Sequence, residues 1–207
     1  PVVQEFLGNA IDAGATRISI RGLDAGKRLI EVSDNGCGID PAEVQLAVTR
    51  HATSKLTKSE ELFHIRTLGF RGEALASTAS VSRMTLTSRS NAHATGSKIL
   101  VEGGKVISVE AAGVPDGTVV TVEHLFFNTP ARLKFLKRDQ TERQQIEALV
   151  TRYGLAYPDL ALHLEMEGKQ VFRTTGNGNR KEILAQLYGV EIAGNLLEVL
   201  FEDAGIK

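Results

Sequence analysis

Several features that mark particular classes of protein are scarce or missing in this 207-residue chain. A single cysteine, Cys37, excludes an internal disulfide and suits a reducing compartment. No apolar run approaches the ~18 residues that a membrane span requires. No pair of histidines or cysteines has the spacing of a zinc site, and no G-x-x-x-x-G-K-[ST] phosphate-binding loop occurs. The net charge of −1 argues against nucleic-acid binding by the whole surface, while a local basic patch stays compatible with it.

The chain is long enough for one good-sized domain and part of another, and 42% of its residues are hydrophobic. It begins without methionine or a signal-peptide pattern, and its first residues already have the periodicity of a helix. We therefore expect a fragment that lacks sequence at its N terminus.

Hydrophobic periodicity predicts helices at the start of the chain, then strands. The segments TRISI and LIEVSD predict a hairpin, and PAEVQLAV and EALASTASV predict helices, the first capped by Asp40 with Pro41 in its first turn. A meander of strands follows from residue 83, with EGGK as a hairpin turn between two alternating runs. A turn at Asn128–Pro130 and one long amphipathic helix ending near Tyr157 come next. A last hairpin turns at Gly168. This order predicts an α+β fold, a two-layer sandwich of helices on a mixed, largely antiparallel sheet.

The opening helix EFLGNAIDAG has a polar face. At ~100° per residue, Glu5, Asn9 and Asp12 fall within about 60° of one another. The opposite face is apolar and must meet a core: Val3, Leu7 and Ala10. Two carboxylates and an amide on one arc either face water, as most helix surfaces do, or line a site.

The segment DNGCGI follows a predicted strand, so Asp34 stands at the strand's C-terminal end. Gly36 and Gly38 remove side chains beside it and let a flat ligand approach the backbone. A carboxylate placed in this way accepts hydrogen bonds from an exocyclic amino group such as that of adenine. The same letters are also ordinary turn chemistry. Cys37 is expected to be a small buried residue, because no base that would activate a nucleophile is recognisable beside it.

Two further segments suit a polyphosphate. In LGFRGEALAS, Arg71 and Gly72 precede a helix start whose free N–H groups favour anions. In RHATSK, Thr53, Ser54 and Lys55 offer two hydroxyls and a positive charge, the equipment of a lid. A loop-to-helix junction and a solvated loop are the alternative interpretations.

The segment ARLKFLKR carries four basic residues: Arg132, Lys134, Lys137 and Arg138. They are either a solvated helix face or candidate DNA contacts. The neighbouring phenylalanines are expected in the core.

Taken in order, EFLGNAIDAG, DNGCGI, RHATSK, LGFRGEALAS and GTVVTV…LFFNTPAR closely resemble the MutL family of DNA mismatch-repair proteins, which belongs to the GHKL ATPases. The resemblance covers roughly residues 1–170. It implies the GHKL (Bergerat) ATP-binding fold over residues 1–175, and over 176–207 a linker and the beginning of a second, transducer domain.

The resemblance also implies residue roles. Glu5 matches the general base that polarises water, Asn9 the Mg²⁺ ligand, and Asp34 the carboxylate that reads adenine, with Gly38 against the base. The lid and the phosphate-binding helix start match further residues: Thr53, Ser54, Lys55, Arg71, Gly72, Glu73, Ala74 and Leu75. The implied cofactors are ATP and Mg²⁺.

The implied partners are a MutS-type mismatch sensor, DNA, and a second MutL-type subunit, identical or not, with no membrane. The location is the cytoplasm or nucleoid in a bacterium and the nucleus in a eukaryote. Another GHKL protein, such as a type II topoisomerase subunit, and a non-hydrolysing nucleotide-binding scaffold are the alternatives. The chain departs from the usual E-L-x-E-N-S-x-D-A pattern, most notably at Gly8, which costs a helix up to ~1 kcal/mol relative to alanine. Gly8 faces away from the Glu5–Asn9–Asp12 arc, so we expect lower local stability there rather than lost chemistry. The resemblance also implies that the N-terminal arm and most of the transducer domain, which supplies a lysine to the γ-phosphate, are missing, and we therefore expect weak hydrolysis by this fragment alone.

Overall fold

The computed structural model describes residues 2–49 and 73–197. Its centre is an eight-stranded sheet with the spatial order β5-β4-β3-β6-β2-β1-β7-β8. All neighbouring strands are antiparallel except β1 and β7. The strands are β1 (Arg17–Leu23), β2 (Leu29–Asp34), β3 (Arg83–Arg89), β4 (Gly96–Glu102), β5 (Lys105–Ala112), β6 (Gly117–Glu123), β7 (Ala161–Met166) and β8 (Lys169–Arg173).

The helices are α1 (Val2–Asp12), α2 (Val44–Ala47), α3 (Ala74–Ala79), α4 (Pro130–Phe135), α5 (Asp139–Ala156), α6 (Arg180–Tyr188) and α7 (Val190–Gly194), with a 3₁₀ turn at Asp24–Gly26. Helix α1 packs on β2 and α3, and α5 packs on β7 and β8. The opposite face of the sheet is more polar: Arg21 pairs with Glu31, which also accepts a hydrogen bond from Thr121. The predicted two-layer α+β sandwich on a mixed, largely antiparallel sheet is confirmed.

Strand alternation builds the core under the helices. One row crosses the five central strands with the buried side chains of Ile20, Val32, Val120, Leu86 and Ile99. Because side chains alternate between faces, the register that buries this row fixes which face every other residue of these strands presents. The apolar residues of α1 close the core from above: Val3, Phe6, Leu7 and Ala10 are all buried, as the sequence predicted for three of them.

The strand order differs from the predicted meander. Strands β3, β4 and β5 follow one another as expected, but β6 crosses back and pairs with both β2 and β3. Strand β6 buries Val120 and Val122 between two partners, whereas β5 is left at the edge with Ile107 and Val109 exposed. The strand with the more deeply buried side chains therefore takes the interior position.

The helices after the sheet also differ from expectation. The single long helix predicted after Pro130 is two helices, because Leu136 and Arg138 adopt extended backbone angles between α4 and α5. Glu142, in the first turn of α5, accepts a hydrogen bond from the Lys137 N–H at 2.9 Å and so stabilises the new helix start. The predicted helix at residues 41–48 is reduced to α2, although Asp40 does accept the Ala42 N–H at 2.9 Å.

The sequence predicted that the phenylalanines beside the basic run lie in the core, and this is wrong for two of them. Phe135 is 87% exposed and Phe127 is also exposed, while Phe126 packs against the core. Among residues 2–49 and 73–197 no helix is long and apolar enough to cross a membrane. The predicted boundary between residues 175 and 176 falls between β8 and α6, and the assignment of 176–207 to a second domain stays a prediction.

Candidate functional site

A polar row crosses the sheet directly beyond the last apolar row. Asp34, Thr118, Ser88 and Ser97 are register partners on β2, β6, β3 and β4. They share the parity of the buried residues Val32, Val120 and Leu86, so they too face the helix layer. An apolar core that ends in a row of carboxyl and hydroxyl groups is a candidate floor for a polar ligand.

Asp34 is the only acid of this row. Burial raises the pKa of its carboxyl above the usual range, although hydrogen bonds from the backbone N–H groups of Gly36 and Thr118 oppose the shift. The Gly36 bond is 2.8 Å long. A carboxylate has about four lone-pair sites, so two bonds leave it able to accept more. A partly desolvated acceptor with free capacity is suited to a ligand N–H donor.

The loop that follows Asp34 is tied to the end of α1. Asn35 Oδ1 accepts the N–H groups of Thr16, at 3.0 Å, and Arg17, at 2.7 Å. Its amide Nδ2 donates to the Thr16 hydroxyl at 2.9 Å. The Cys37 N–H donates to the Ala13 carbonyl at 2.9 Å. The loop is therefore hydrogen-bonded to the segment that joins α1 to β1.

Glycine is required at two points around this loop. Gly38 has φ +70°, and a Cβ there would lie 2.8 Å from Ser90 N and closer still to the Arg89 carbonyl. Gly117 has φ +114°, and a Cβ there would collide with the Asp34 carbonyl. Both conformations are strained for other residues, and both contacts are with backbone that has little freedom to move.

Helix α1 brings its polar face to the same region. Along a rise of 1.5 Å per residue, Asn9 lies about 6 Å and Glu5 about 12 Å from Ala13, the residue that holds the loop. Glu5 is exposed, and Asn9 and Asp12 are half-buried. The pKa of Tyr153 on α5 is raised, mainly by burial and further by electrostatic interaction with Tyr157, Glu5 and Asp12. The acidic face of α1 therefore extends from the Asp34 loop toward α5.

Comparisons with known proteins decide the family. A model described as "Histidine kinase-, DNA gyrase B-, and HSP90-like ATPase" matches residues 1–123. A solved Aquifex aeolicus structure, the MutL ATPase domain complexed with ADP, has a TM-score of 0.75 and 34% identity, covering 91% of this chain and 68% of that one. The chain belongs to the MutL family. It is 47% identical over 98% of its length to the DNA mismatch repair protein MutL of Leuconostoc citreum and 45% identical over 99% to that of Desulforudis audaxviator.

The chain spans about a third of these MutL relatives: 30% of the first and 36% of the second. The family membership and the fold therefore concern the ATPase part of a MutL protein. The predicted GHKL fold is confirmed by the match of the family model and by the solved structure.

The structure brings some of the predicted MutL site residues together. Glu5 and Asn9 lie on α1, and Asp34 and Gly38 lie on the loop hydrogen-bonded to its end. Helix α3, which contacts α1, begins at the predicted phosphate-side residues Glu73, Ala74 and Leu75, all half-buried. The remaining predicted residues lie outside the described part of the chain: Thr53, Ser54, Lys55, Arg71 and Gly72.

Sequence reasoning missed three polar residues of the site. Thr118 and Ser88 extend the row from Asp34, and Asn35 holds the loop. Strand alternation was the available signal for the first two, because both keep the parity of apolar core positions while being polar. Cys37 was expected to be buried and is exposed. Its backbone N–H is bonded to the Ala13 carbonyl, and its side chain does not enter the core.

Metal ligation in the described residues is limited. No group of three or more histidine, cysteine, aspartate or glutamate side chains within 2–49 and 73–197 is arranged to hold a metal ion. Mg²⁺ usually keeps several waters and takes only one or two protein oxygens together with substrate phosphates. The Asn9 amide oxygen and the Glu5 carboxylate on one helix face fit that donor set.

The basic run forms a separate surface. Helix α4 has no buried residue. The four basic side chains at and after it are all exposed, and Phe135 projects among them: Arg132, Lys134, Lys137 and Arg138. Two acids border this segment: Asp139, which pairs with Lys27, and Glu142, which accepts the Lys137 N–H. The four cations outnumber them, so this surface, which we call the α4 patch, has a net positive charge.

Proposed function

We propose that this chain is the ATP-binding, slowly hydrolysing switch module of a MutL-type mismatch-repair protein. The observation that carries the proposal is the Asp34 loop, which closes one end of a polar sheet row and is hydrogen-bonded to the helix that presents Glu5 and Asn9. The ADP complex of the Aquifex aeolicus MutL ATPase domain supports a nucleotide as the ligand.

The base of the nucleotide is proposed to lie on the Asp34 side. The Asp34 carboxylate accepts from the adenine amino group, and the side-chain-free backbone at Gly38 lies against the ring. The support is the free acceptor capacity of a carboxyl that burial has withdrawn from water. An acceptor that is partly withdrawn from water in this way discriminates against ligands that lack the matching donor.

The phosphates are proposed to lie toward Glu5 and Asn9. Glu5, exposed on α1, polarises a water for attack on the γ-phosphate, and the Asn9 oxygen holds Mg²⁺. Bound Mg²⁺ supplies neutralisation of phosphate charge, which with positioning is most of what phosphoryl transfer needs from a protein. The helix start and lid complete the proposed phosphate contacts: Arg71, Gly72, Glu73, Ala74 and Leu75, with Thr53, Ser54 and Lys55 closing over the polyphosphate.

In the whole protein, this module is proposed to act as a switch. ATP-dependent lid closure and dimerisation pass a signal from a MutS-type sensor to strand incision or unwinding, with slow turnover. The names of the relatives support the mismatch-repair context. Such a role places the protein with DNA, in the nucleoid of a bacterium or the nucleus of a eukaryote.

Hydrolysis separates this proposal from the scaffold alternative. We expect Mg²⁺-dependent ATP turnover by the full-length protein that disappears in Glu5→Ala, and Mg²⁺-dependent affinity that disappears in Asn9→Ala. Asp159→Ala, a change in an exposed turn acid between α5 and β7, is the control and should leave both unchanged. ATP binding with no turnover above the Glu5→Ala background would favour a non-hydrolysing scaffold.

The α4 patch is proposed as a weak, non-specific DNA contact. Its four exposed cations, which outnumber the bordering acids Asp139 and Glu142, support a polyanionic partner. Charge reversal of Lys134 and Arg138 should reduce the magnitude of the slope of log K against log salt by about two, since each phosphate contact on duplex DNA contributes ~0.9. Lys169→Glu with Lys181→Glu changes the net charge equally at exposed sites elsewhere. Equal slopes for the two double variants would leave the patch as a solvated surface.

A further inference from the structure

Ser88 is a polar residue in a position otherwise reserved for the core. It lies near the end of β3 on the face of Met84 and Leu86, and its exposed fraction is 0%. A buried hydroxyl is costly unless it is hydrogen-bonded. Its partners therefore show what the position requires.

The Ser88 hydroxyl has three partners. Its oxygen accepts the Ile39 N–H at 2.9 Å, and its proton is within reach of the Gly117 carbonyl, also at 2.9 Å. The Thr118 hydroxyl lies 2.8 Å away. A serine hydroxyl has one proton and two acceptor sites. All three contacts are satisfied together only if Ser88 donates to Gly117 and accepts from both Ile39 and Thr118.

This arrangement orients the Thr118 hydroxyl. Its proton points toward Ser88, so only lone pairs of its oxygen are left for other partners. Thr118 is the register partner of Asp34, and the backbone N–H of Thr118 also donates a hydrogen bond to the Asp34 carboxylate. The floor beside Asp34 then presents acceptors alone: a carboxylate and a hydroxyl oxygen.

The same hydroxyl also fixes the loop. The Ile39 N–H belongs to the residue after Gly38, whose backbone is packed against Arg89. Ser88 thus joins the Gly38–Ile39 backbone to β6. These are the two structures that, on the proposed function, lie against the nucleotide base.

We propose that Ser88 is a positioning residue that sets base selectivity, by turning Thr118 into an acceptor beside Asp34 and by holding Gly38–Ile39 in place. This inference rests on the proposed ATP site. An amino-bearing base edge, as in adenine, donates to an acceptor-only floor. A carbonyl at the same place, as in guanine, would set lone pairs against lone pairs and leave the half-buried acceptors of Asp34 and Thr118 unpaired, which is disfavoured.

The test compares Ser88→Ala with Ser82→Ala in the 207-residue chain. Ser82 is equally buried and donates one hydrogen bond, to the Thr78 carbonyl at 2.7 Å, and it is not in the polar row. The readouts are thermal stability and dissociation constants for ATP and GTP by calorimetry. We expect both variants to lose stability, and only Ser88→Ala to lower the preference for ATP over GTP, by about tenfold for a lost oriented hydrogen bond.

Two more variants keep the test decisive. Ser88→Thr retains the hydroxyl and should restore the ATP preference. Thr118→Val keeps the side-chain shape, removes the oriented oxygen and should lower the preference even if Ser88→Ala fails to fold. An unchanged ATP-to-GTP ratio in folded Ser88→Ala or in Thr118→Val overturns the inference while leaving the ATP site intact. A wild-type chain that binds no ATP would instead refute the proposed function.

Discussion

Replacing Gly38 with alanine tests how tightly the loop after Asp34 packs on the end of β3. Two effects add at this position. The residue has φ +70°, and the new Cβ would meet the Arg89 carbonyl and lie 2.8 Å from Ser90 N. Both neighbours are backbone atoms at the end of β3, so a rotamer change offers no relief.

Gly168 separates the two effects. It has nearly the same backbone angle, φ +73°, but no atom lies within 4 Å of a Cβ built there. For Gly168→Ala we expect a loss of about 1 kcal/mol, from the left-handed conformation alone. Gly38→Ala should lose about 3 kcal/mol or more, because backbone displacement is added, which is in the range of severe single substitutions.

The assay is urea unfolding followed by circular dichroism, since the chain has no tryptophan. The slope against urea is checked for constancy, so that a change in midpoint reports stability alone. Calorimetry with ATP is run on the same samples, and only Gly38→Ala should also weaken binding. Equal losses of stability for the two variants would refute the steric argument and the close packing of the loop on β3.

Two further predictions concern the same loop. Asn35→Ala removes three hydrogen bonds to Thr16 and Arg17 and should cost about 2 kcal/mol of unfolding free energy and weaken ATP binding, measured by urea titration and calorimetry; unchanged stability would show that α1 and the loop are not coupled through this side chain. Because burial raises the pKa of Asp34, ATP affinity should fall on acidification before exposed carboxyls titrate at about pH 4. The sign for stability is opposite: the contribution of Asp34 is full at low pH and is lost as the pH rises through its raised folded-state pKa. Affinity that stays constant down to about pH 4 would contradict this prediction.

Local signals in the sequence predicted much of the architecture. Alternation located the strands, and the glycines of RGLDAGK, EGGK and EGK predicted the three hairpins, each of which has residues at positive φ. The apolar and polar faces of α1 followed from helical geometry. These features depend on neighbours within a few residues, where period and turn chemistry are decisive.

Non-local pairing was the main source of error. No local signal shows that β6 inserts between β2 and β3. That position depends on which strands are hydrogen-bonded on both edges, and this is settled by packing in the folded chain. The break between α4 and α5, after Phe135, was also missed, because the sequence has a helical period both before and after this break. The partners of Ser88 come from two segments far from it in sequence, Ile39 and Gly117–Thr118, so its role was visible only in the folded chain.

The central claim is that Asp34 reads the base of a bound ATP, and calorimetric titration of ATP into wild type and Asp34→Asn tests it most directly. The substitution keeps the side-chain size but replaces one acceptor oxygen by a donor that faces the ligand amino group. Asp159→Asn, the same chemical change at an exposed turn, is the matched control. The account predicts binding by wild type and by the control, and none by Asp34→Asn in a chain whose circular dichroism is unchanged. Equal ATP affinity in all three proteins would contradict it.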